Sequence, residues 1–414
     1  MSDLDKGGVR ARAAATFIGL AACVAVAAAG GKVVTSTGYT VMHQFQKPDG
    51  FGVYAELVQG ADGTLYGTGY FGGDADAGTV FSIKPTGRFA YSVLHTFATT
   101  DGLAPATGLT LGADGNFYGL TAGGGAYSAG TAFRISASGA FTTLHSFIAT
   151  EEGAYAYLGA LVQGVDGNFY GANQQGGHNG LGTLFRMTPT GRVTVLHTFA
   201  GGAADGATPR GGMILASDGF LYGTTLCGGV ANKTNGCGGT LYRVNPGNGV
   251  FNLVYRFSPA DAPQAALTEL NGFLYGTTSA GGDSHHGTIF KFGLVDHTNT
   301  TLHSFAGGVR AATPNTDGAA PIGKLLAAGD GNLYGTASLG GANASIDPTG
   351  DGIVFRITPA GVYSIVQTFG ASADDSARPY AGLILGMDGN LYGTAHNGAN
   401  QSEGTVFSLA LPTR

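Results

Sequence analysis

The chain has 414 residues, 75 of them Gly and 14 Pro, with 43% hydrophobic and only 11% charged residues; Gly plus Pro stays below the share typical of disordered chains, and the apolar fraction is enough for a large core. A formal net charge of −6 without any Lys/Arg cluster excludes a surface that tracks nucleic-acid phosphates. With so few charges, the surface falls to Gly, Ser, Thr and Asn.

The first thirty residues stand apart. Lys6, Arg10 and Arg12 precede an apolar run from Ala13 to Gly30 that ends in the small residues Ala27, Ala28 and Ala29, which is the layout of a secretory signal peptide. Residues 1–30 are therefore expected to be a leader, and 31–414 one exported domain, secreted, periplasmic or at the cell surface, with no membrane span. Leu20-Ala21-Ala22-Cys23 also has the form of a lipoprotein box, which would make Cys23 a lipid anchor. Beyond the leader only Cys227 and Cys237 remain. In an exported chain such a pair, ten residues apart in one loop, is expected to form a disulfide.

Next comes YTVMHQF, Tyr39 to Phe45, and then a repeat. Tyr66, Tyr118, Tyr170, Tyr222, Tyr275, Tyr334 and Tyr392 each sit in a Leu/Phe-Tyr-Gly triplet, at intervals of 52, 52, 52, 53, 59 and 58 residues. In the third unit, ALVQG and NFYGA flank Asp166-Gly167, a hairpin signal read as a turn with both residues at positive φ. GTLFRMT follows, then a Thr-Pro-Thr-Gly turn and the strand RVTVLHTF. Four short strands joined by tight turns and repeated seven times predict an all-β, seven-bladed propeller of four-stranded antiparallel blades. The seventh unit stops after its third strand, and YTVMHQF has the pattern of a fourth. Pairing the two closes the ring and removes an exposed sheet edge.

The units DGNLYGTA…GTVF and ITPAGVYSIVQTF resemble the GloVer tandem repeat of exported bacterial proteins, the "choice-of-anchor" family, over about residues 39 to 414. The resemblance implies an exported, propeller-like protein and transfers no catalytic residue. The family's name refers to C-terminal surface anchors; this sequence ends at Arg414 without such a segment, so attachment to a surface would rest on Cys23.

Repetition separates scaffold from site, because what every blade carries serves every blade. By that test the seven Tyr and the Asp-Gly turns are structural. So are His43, His95, His145, His197 and His303, which share one fourth-strand position that Tyr255 and Gln367 fill elsewhere. Radially spread histidines cannot share one metal ion. Loops between the second and third strands, and between blades, lie together at the end opposite the tight turns and vary most, so a site is expected there. The symmetry-breaking residues at that end are His178, Asp283, His285, His286 and His396, with Tyr155 and Tyr157 between the second and third blades; the later connections carry Arg310 and Arg378. Calcium would suit the acids Asp49, Asp101, Glu152, Asp205 and Asp317, although a recurrent turn explains them more simply, and no other cofactor is expected. No G-x-S-x-G, H-E-x-x-H, Walker or EF-hand pattern occurs. The sequence thus points to a monomeric, non-catalytic module that binds a glycan or a protein partner through its long-loop end. The alternative is an extracellular lyase or hydrolase at the mouth of the central channel, which would need the loop histidines and Asp283 to converge.

Overall fold

Antiparallel strands of two to eight residues account for nearly all the regular structure of the protein, for which a computed structural model describes residues 38–229, 238–307, 317–341, 350–372, 375–398 and 403–412. The leader, with Cys23, and also Cys237 and Arg310 lie outside the described residues. Seven sheets follow one another, numbered here as blades 1 to 7 in chain order; six have four strands, and blade 4 adds a fifth, Gly206–Pro209, to its four. Blade 3 is typical, with strands Val162–Gln163, Phe169–Asn173, Thr183–Met187 and Val193–Thr198 running from the channel outward. The ring closes as the sequence implies. Tyr39–Gln44 is the outer strand of blade 7, antiparallel to Thr405–Ala410, with Tyr39 opposite Leu409 and Val41 opposite Phe407. The Tyr39 hydroxyl donates to Ser376 Oγ at 2.7 Å, tying the seam to the connection that enters blade 7.

Two local details differ from the expectation. The Asp-Gly turns are three-residue loops in which only Gly takes positive φ, as at Gly167 (78°), with its amide bonded to the carbonyl of Gly164. The Asp stays at negative φ because its carboxylate caps the loop: Asp166 accepts the amide of Asn168 at 3.1 Å and the Tyr170 hydroxyl at 2.8 Å, a bonding pattern open to a short acidic side chain. Blade 5 is one residue shorter there, and only its Asn271-Gly272 has both residues at positive φ (54° and 78°), the two-residue form. The inner strands are also shorter than expected, two residues in six blades and three in blade 5. Their leading halves peel away from the sheet and line the channel.

The Tyr-Gly pair explains the packing between and within blades. Tyr66 and Tyr118 lie against Phe117 and Phe169 of the following blade at 4.1 Å, so each sheet is buried on both faces. The Gly that follows leaves room for an aromatic ring of the third strand; a Cβ on Gly171 would stand 2.6 Å from Phe185 Cζ.

The fourth-strand histidines are scaffold. His43, His95, His145, His197 and His303 each place Nε2 2.7 to 3.2 Å from an acid in the next connection, Asp49, Asp101, Glu152, Asp205 and Asp317 respectively. Four of the five rings also stack on an aromatic side chain of the next blade, as His95 does on Phe141 at 3.7 Å. The acids in turn accept backbone amides, Ala98 to Asp101 at 2.8 Å and Ile148 to Glu152 at 3.0 Å. The sequence pairs a His with an acid 6, 6, 7, 8 and 14 residues later; that spacing was the available signal. These bonds give the acids a role in holding blade to blade.

Candidate site at the channel mouth

The long connections enter each blade through a residue held at positive φ: Gly52, Ala104, Tyr155, Thr208, Ala262, Ala320 and Arg378. That turn tips the chain over the rim, so the residues just after it face the channel end. Five of the seven blades have Pro one position later, while blade 1 has Val53 and blade 3, one residue longer, has Tyr157 in this stretch. The next rim position carries Tyr54, Ala106, Arg210, Gln264, Ile322 and Tyr380 in blades 1, 2, 4, 5, 6 and 7, with no residue type common to all.

Side chains from distant segments meet here. Tyr54 lies 5.4 Å from Tyr70, 5.8 Å from Tyr380, 6.2 Å from Tyr157 and 4.6 Å from the His396 ring, measured between centroids. Arg210 covers Tyr157 at 5.4 Å and donates from Nη1 to Gln264 Oε1 at 2.7 Å. Gln264 passes the chain of bonds on from Nε2 to Ser279 Oγ at 2.5 Å. Beside Tyr380 a depression of about 410 Å³ is bordered by Gln264, Ser279, Ile322, Ser338 and Arg378.

The electrostatics reflect close packing. Burial, with the neighbouring phenols Tyr157, Tyr380 and Tyr70, pushes the Tyr54 hydroxyl up to about 12. Burial, helped by the Arg378 guanidinium, lowers His396 to about 4, so its ring is neutral. Its Nε2 stands 3.5 Å from the Tyr54 hydroxyl, while Nδ1 is buried without a hydrogen bond. Arg210 Nε is buried and unbonded as well. Buried orphans of this kind are uncommon, and two of them flank one mouth.

Below the rim the inner strands approach so closely that five blades carry Gly or Ala at one channel position: Gly108, Ala160, Gly212, Ala266 and Gly382. Blades 1 and 6 carry Glu56 and Lys324 there. Gly382 makes space for the Glu56 carboxyl, which a Cβ at 382 would strike. Burial raises the Glu56 pKa and Lys324 opposes that rise. A neck of about 20 Å³ bordered by Tyr54, Gln264, Tyr380, Glu56 and Lys324 joins rim to throat, and beyond it lies a chamber of about 310 Å³ with an apolar wall that includes Met213, Ile214 and Leu215.

Of the residues expected from sequence, Tyr157 and His396 belong to this cluster. Tyr155 is half exposed beside it, its carbonyl accepting the Gln174 amide. His178, Asp283, His285 and His286 are exposed in the loops of blades 3 and 5, and no hydrogen bond or ring contact joins them to the mouth. The Asp283 amide bonds Ser304 Oγ of the outer strand, and the His286 ring packs against Gly307 just past that strand. Among the described residues no group of three or more His, Cys, Asp or Glu is arranged to hold a metal ion. Cys227 is the penultimate residue of the second strand of blade 4, Leu221–Gly228. Tyr54, Glu56, Arg210, Gln264, Lys324 and Tyr380 were missed, since the symmetry test was applied to loops; aligning the seven inner strands would have shown two charges where Gly and Ala otherwise stand.

The family model described as the Gloeobacter/Verrucomicrobia repeat matches residues 30–236, 152–317 and 233–414. No protein of curated function matches this chain in sequence. Among solved structures, an oligogalacturonate lyase in complex with manganese is similar with a TM-score of 0.56 at 13% identity, over 92% of this chain and 96% of that one. The oligogalacturonate lyase of Vibrio parahaemolyticus gives 0.53 at 12%, over 93% and 99%. The extracellular domain of a hybrid two-component system from B. thetaiotaomicron gives 0.58 at 12%, over 91% of this chain and 43% of that one. At these identities the likeness concerns the fold alone.

Proposed function

We propose that this chain, which belongs to the Gloeobacter/Verrucomicrobia repeat family, is an exported, non-catalytic binding propeller that takes a glycan at its channel mouth. The observation that carries the reading is the aromatic cluster of Tyr54, Tyr157, Tyr380 and His396, whose Tyr380 also borders a depression of about 410 Å³. A tyrosine offers a flat apolar face for a sugar ring together with a polar tip, and Gln264, Ser279 and Ser338 supply amide and hydroxyl groups of the kind that orient a ligand in a pocket. Export is supported by the layout of residues 1–30, and a Cys227–Cys237 disulfide would staple the long loop of blade 4.

The test is a panel of oligosaccharides titrated calorimetrically into the full chain and into Tyr380→Ala. Binding that weakens at least tenfold in the variant, with the fold intact by circular dichroism, supports the mouth as the site. Equal binding by the two proteins places the sugar elsewhere. No binding across the panel, with capture of a protein ligand instead, would replace the glycan with a protein partner. Chelator is expected to change neither affinity nor melting temperature.

A further inference from the structure

We infer that the glycan is acidic, with a sugar ring at the tyrosine rim and its carboxylate in the neck against Lys324. This rests on the proposed glycan reading and names the class of ligand. The chain as a whole carries a net charge of −6, yet the charged residues bordering the depression and the neck are Arg378, Lys324 and Glu56, and Arg210 sits beside them through Gln264. The local balance is positive where the rest of the molecule is negative. Lys324 stands at a channel position otherwise held by Gly or Ala in five blades, so no packing requirement of the repeat calls for it. Among the described residues neither Lys324 nor Arg210 forms an ion pair with a carboxylate, while Lys324 is attracted to Glu56 across the neck; an incoming carboxylate would share that ammonium.

Size sets the orientation. A neck of about 20 Å³ admits a water or one small substituent and excludes a sugar ring, for which the depression of about 410 Å³ above it has room. A uronate fits that division, its ring held above and its carboxylate passing down. In a site shielded from water a charge-assisted bond from ammonium to carboxylate is stronger than one between neutral groups. Glu56 borders the same neck, so the Lys324 ammonium faces two carboxylates when a uronate is bound.

The experiment titrates tetramers of galacturonate, glucuronate and mannuronate, and the same tetramers with their carboxyls reduced to alcohols, into the full chain and into Lys324→Met. The expected result is at least one uronate bound ten times or more tightly than its reduced form, with the preference gone in K324M and the affinity for the reduced form unchanged. Arg210→Gln should lower the uronate affinity several-fold and flatten its dependence on salt. Equal binding of a uronate and its reduced form, or a preference that survives in K324M, overturns this inference and leaves the glycan reading standing. If no tetramer of either kind binds, this inference falls, and the glycan reading stands or falls on the wider oligosaccharide panel. K324M keeps an unbranched side chain one heavy atom shorter, and an unchanged melting curve separates a lost contact from a lost fold.

Discussion

Five blades set a histidine of the outer strand against an acid of the following connection, whereas at the channel end the position of Tyr54 holds Tyr again only in blade 7, at Tyr380, and differs in the other blades. The two regions are built on the same strands. At the periphery the acid of every pair accepts a backbone amide and four of the five histidines stack on an aromatic ring of the next blade, and the repeat preserves the pair at five joints because those joints use the same bond. At the mouth the seven positions converge on one space, so identical residues would either collide or leave a hole. Asymmetry there is free of the scaffold's demands, and the aromatic and cationic side chains gather where the repeat does not require them.

The sharpest way to break this comparison is to show that the scaffold does not depend on its repeated contacts. Phe45 follows the seam strand and is 1% exposed, packed between Phe81 and Tyr91. Phe45→Ala should cost about 3–5 kcal/mol in denaturant unfolding; a loss under 1 kcal/mol would mean the N-terminal strand only decorates the ring. The pH dependence comes next. His396 has its pKa lowered to about 4 from 6.5, so the unfolded chain binds the proton more readily. The stabilisation is whole above pH 6.5 and drains away as pH falls toward 4, by at most about 3 kcal/mol. His43 and His95 are lowered too, burial outweighing their acid partners, and add in the same direction. His396→Gln should flatten the curve between pH 6.5 and 4, and an unchanged slope would show that the ring is charged in the folded protein.

Smaller changes separate joint from joint. Asp101→Asn removes a carboxylate that serves both His95 and the Ala98 amide, and is expected to lower stability by about 1–2 kcal/mol. In blade 4 the histidine is replaced by Tyr255, and Asp261, which burial alone shifts upward, accepts the Ser258 amide. Asp261→Asn should therefore cost less than Asp101→Asn in the same chemical unfolding assay. Equal losses would show that the histidine adds nothing to the joint. The smallest effect on stability belongs to the mouth: Tyr380→Ala should change unfolding by about 1 kcal/mol or less, because the ring is only partly buried, while its effect on sugar affinity is at least tenfold.

Much of the scaffold was legible in the linear chain, and particular residues show why. The Leu/Phe-Tyr-Gly triplet marks a strand whose Gly must admit Phe185 or its equivalent, a local demand visible as a period. YTVMHQF betrays the seam because it carries the fourth-strand pattern without the three strands before it. The turn type was misread because Asp-Gly is compatible with two loop lengths, and the count of residues between paired strands decides which. At the site, His178 and the Asp283, His285, His286 group drew notice as chemically capable side chains, but a loop between the second and third strands can carry them outward as well as inward. Asp283 and His286 go outward.

The sequence by itself determined the number of blades, the closure of the ring and the residues that join one blade to the next, since each of those depends on contacts within a unit or between adjacent units and repeats with the period. Which residues meet at the centre was decided by the tertiary structure alone. Tyr54, Tyr157, Arg210, Gln264 and Tyr380 come from five different blades, Glu56 follows Tyr54 on the same segment, and Lys324 comes from a sixth blade. They share a space because closing seven twisted sheets around an axis turns equal positions along the sequence into neighbours across a narrow channel, a relation that no spacing between residues records.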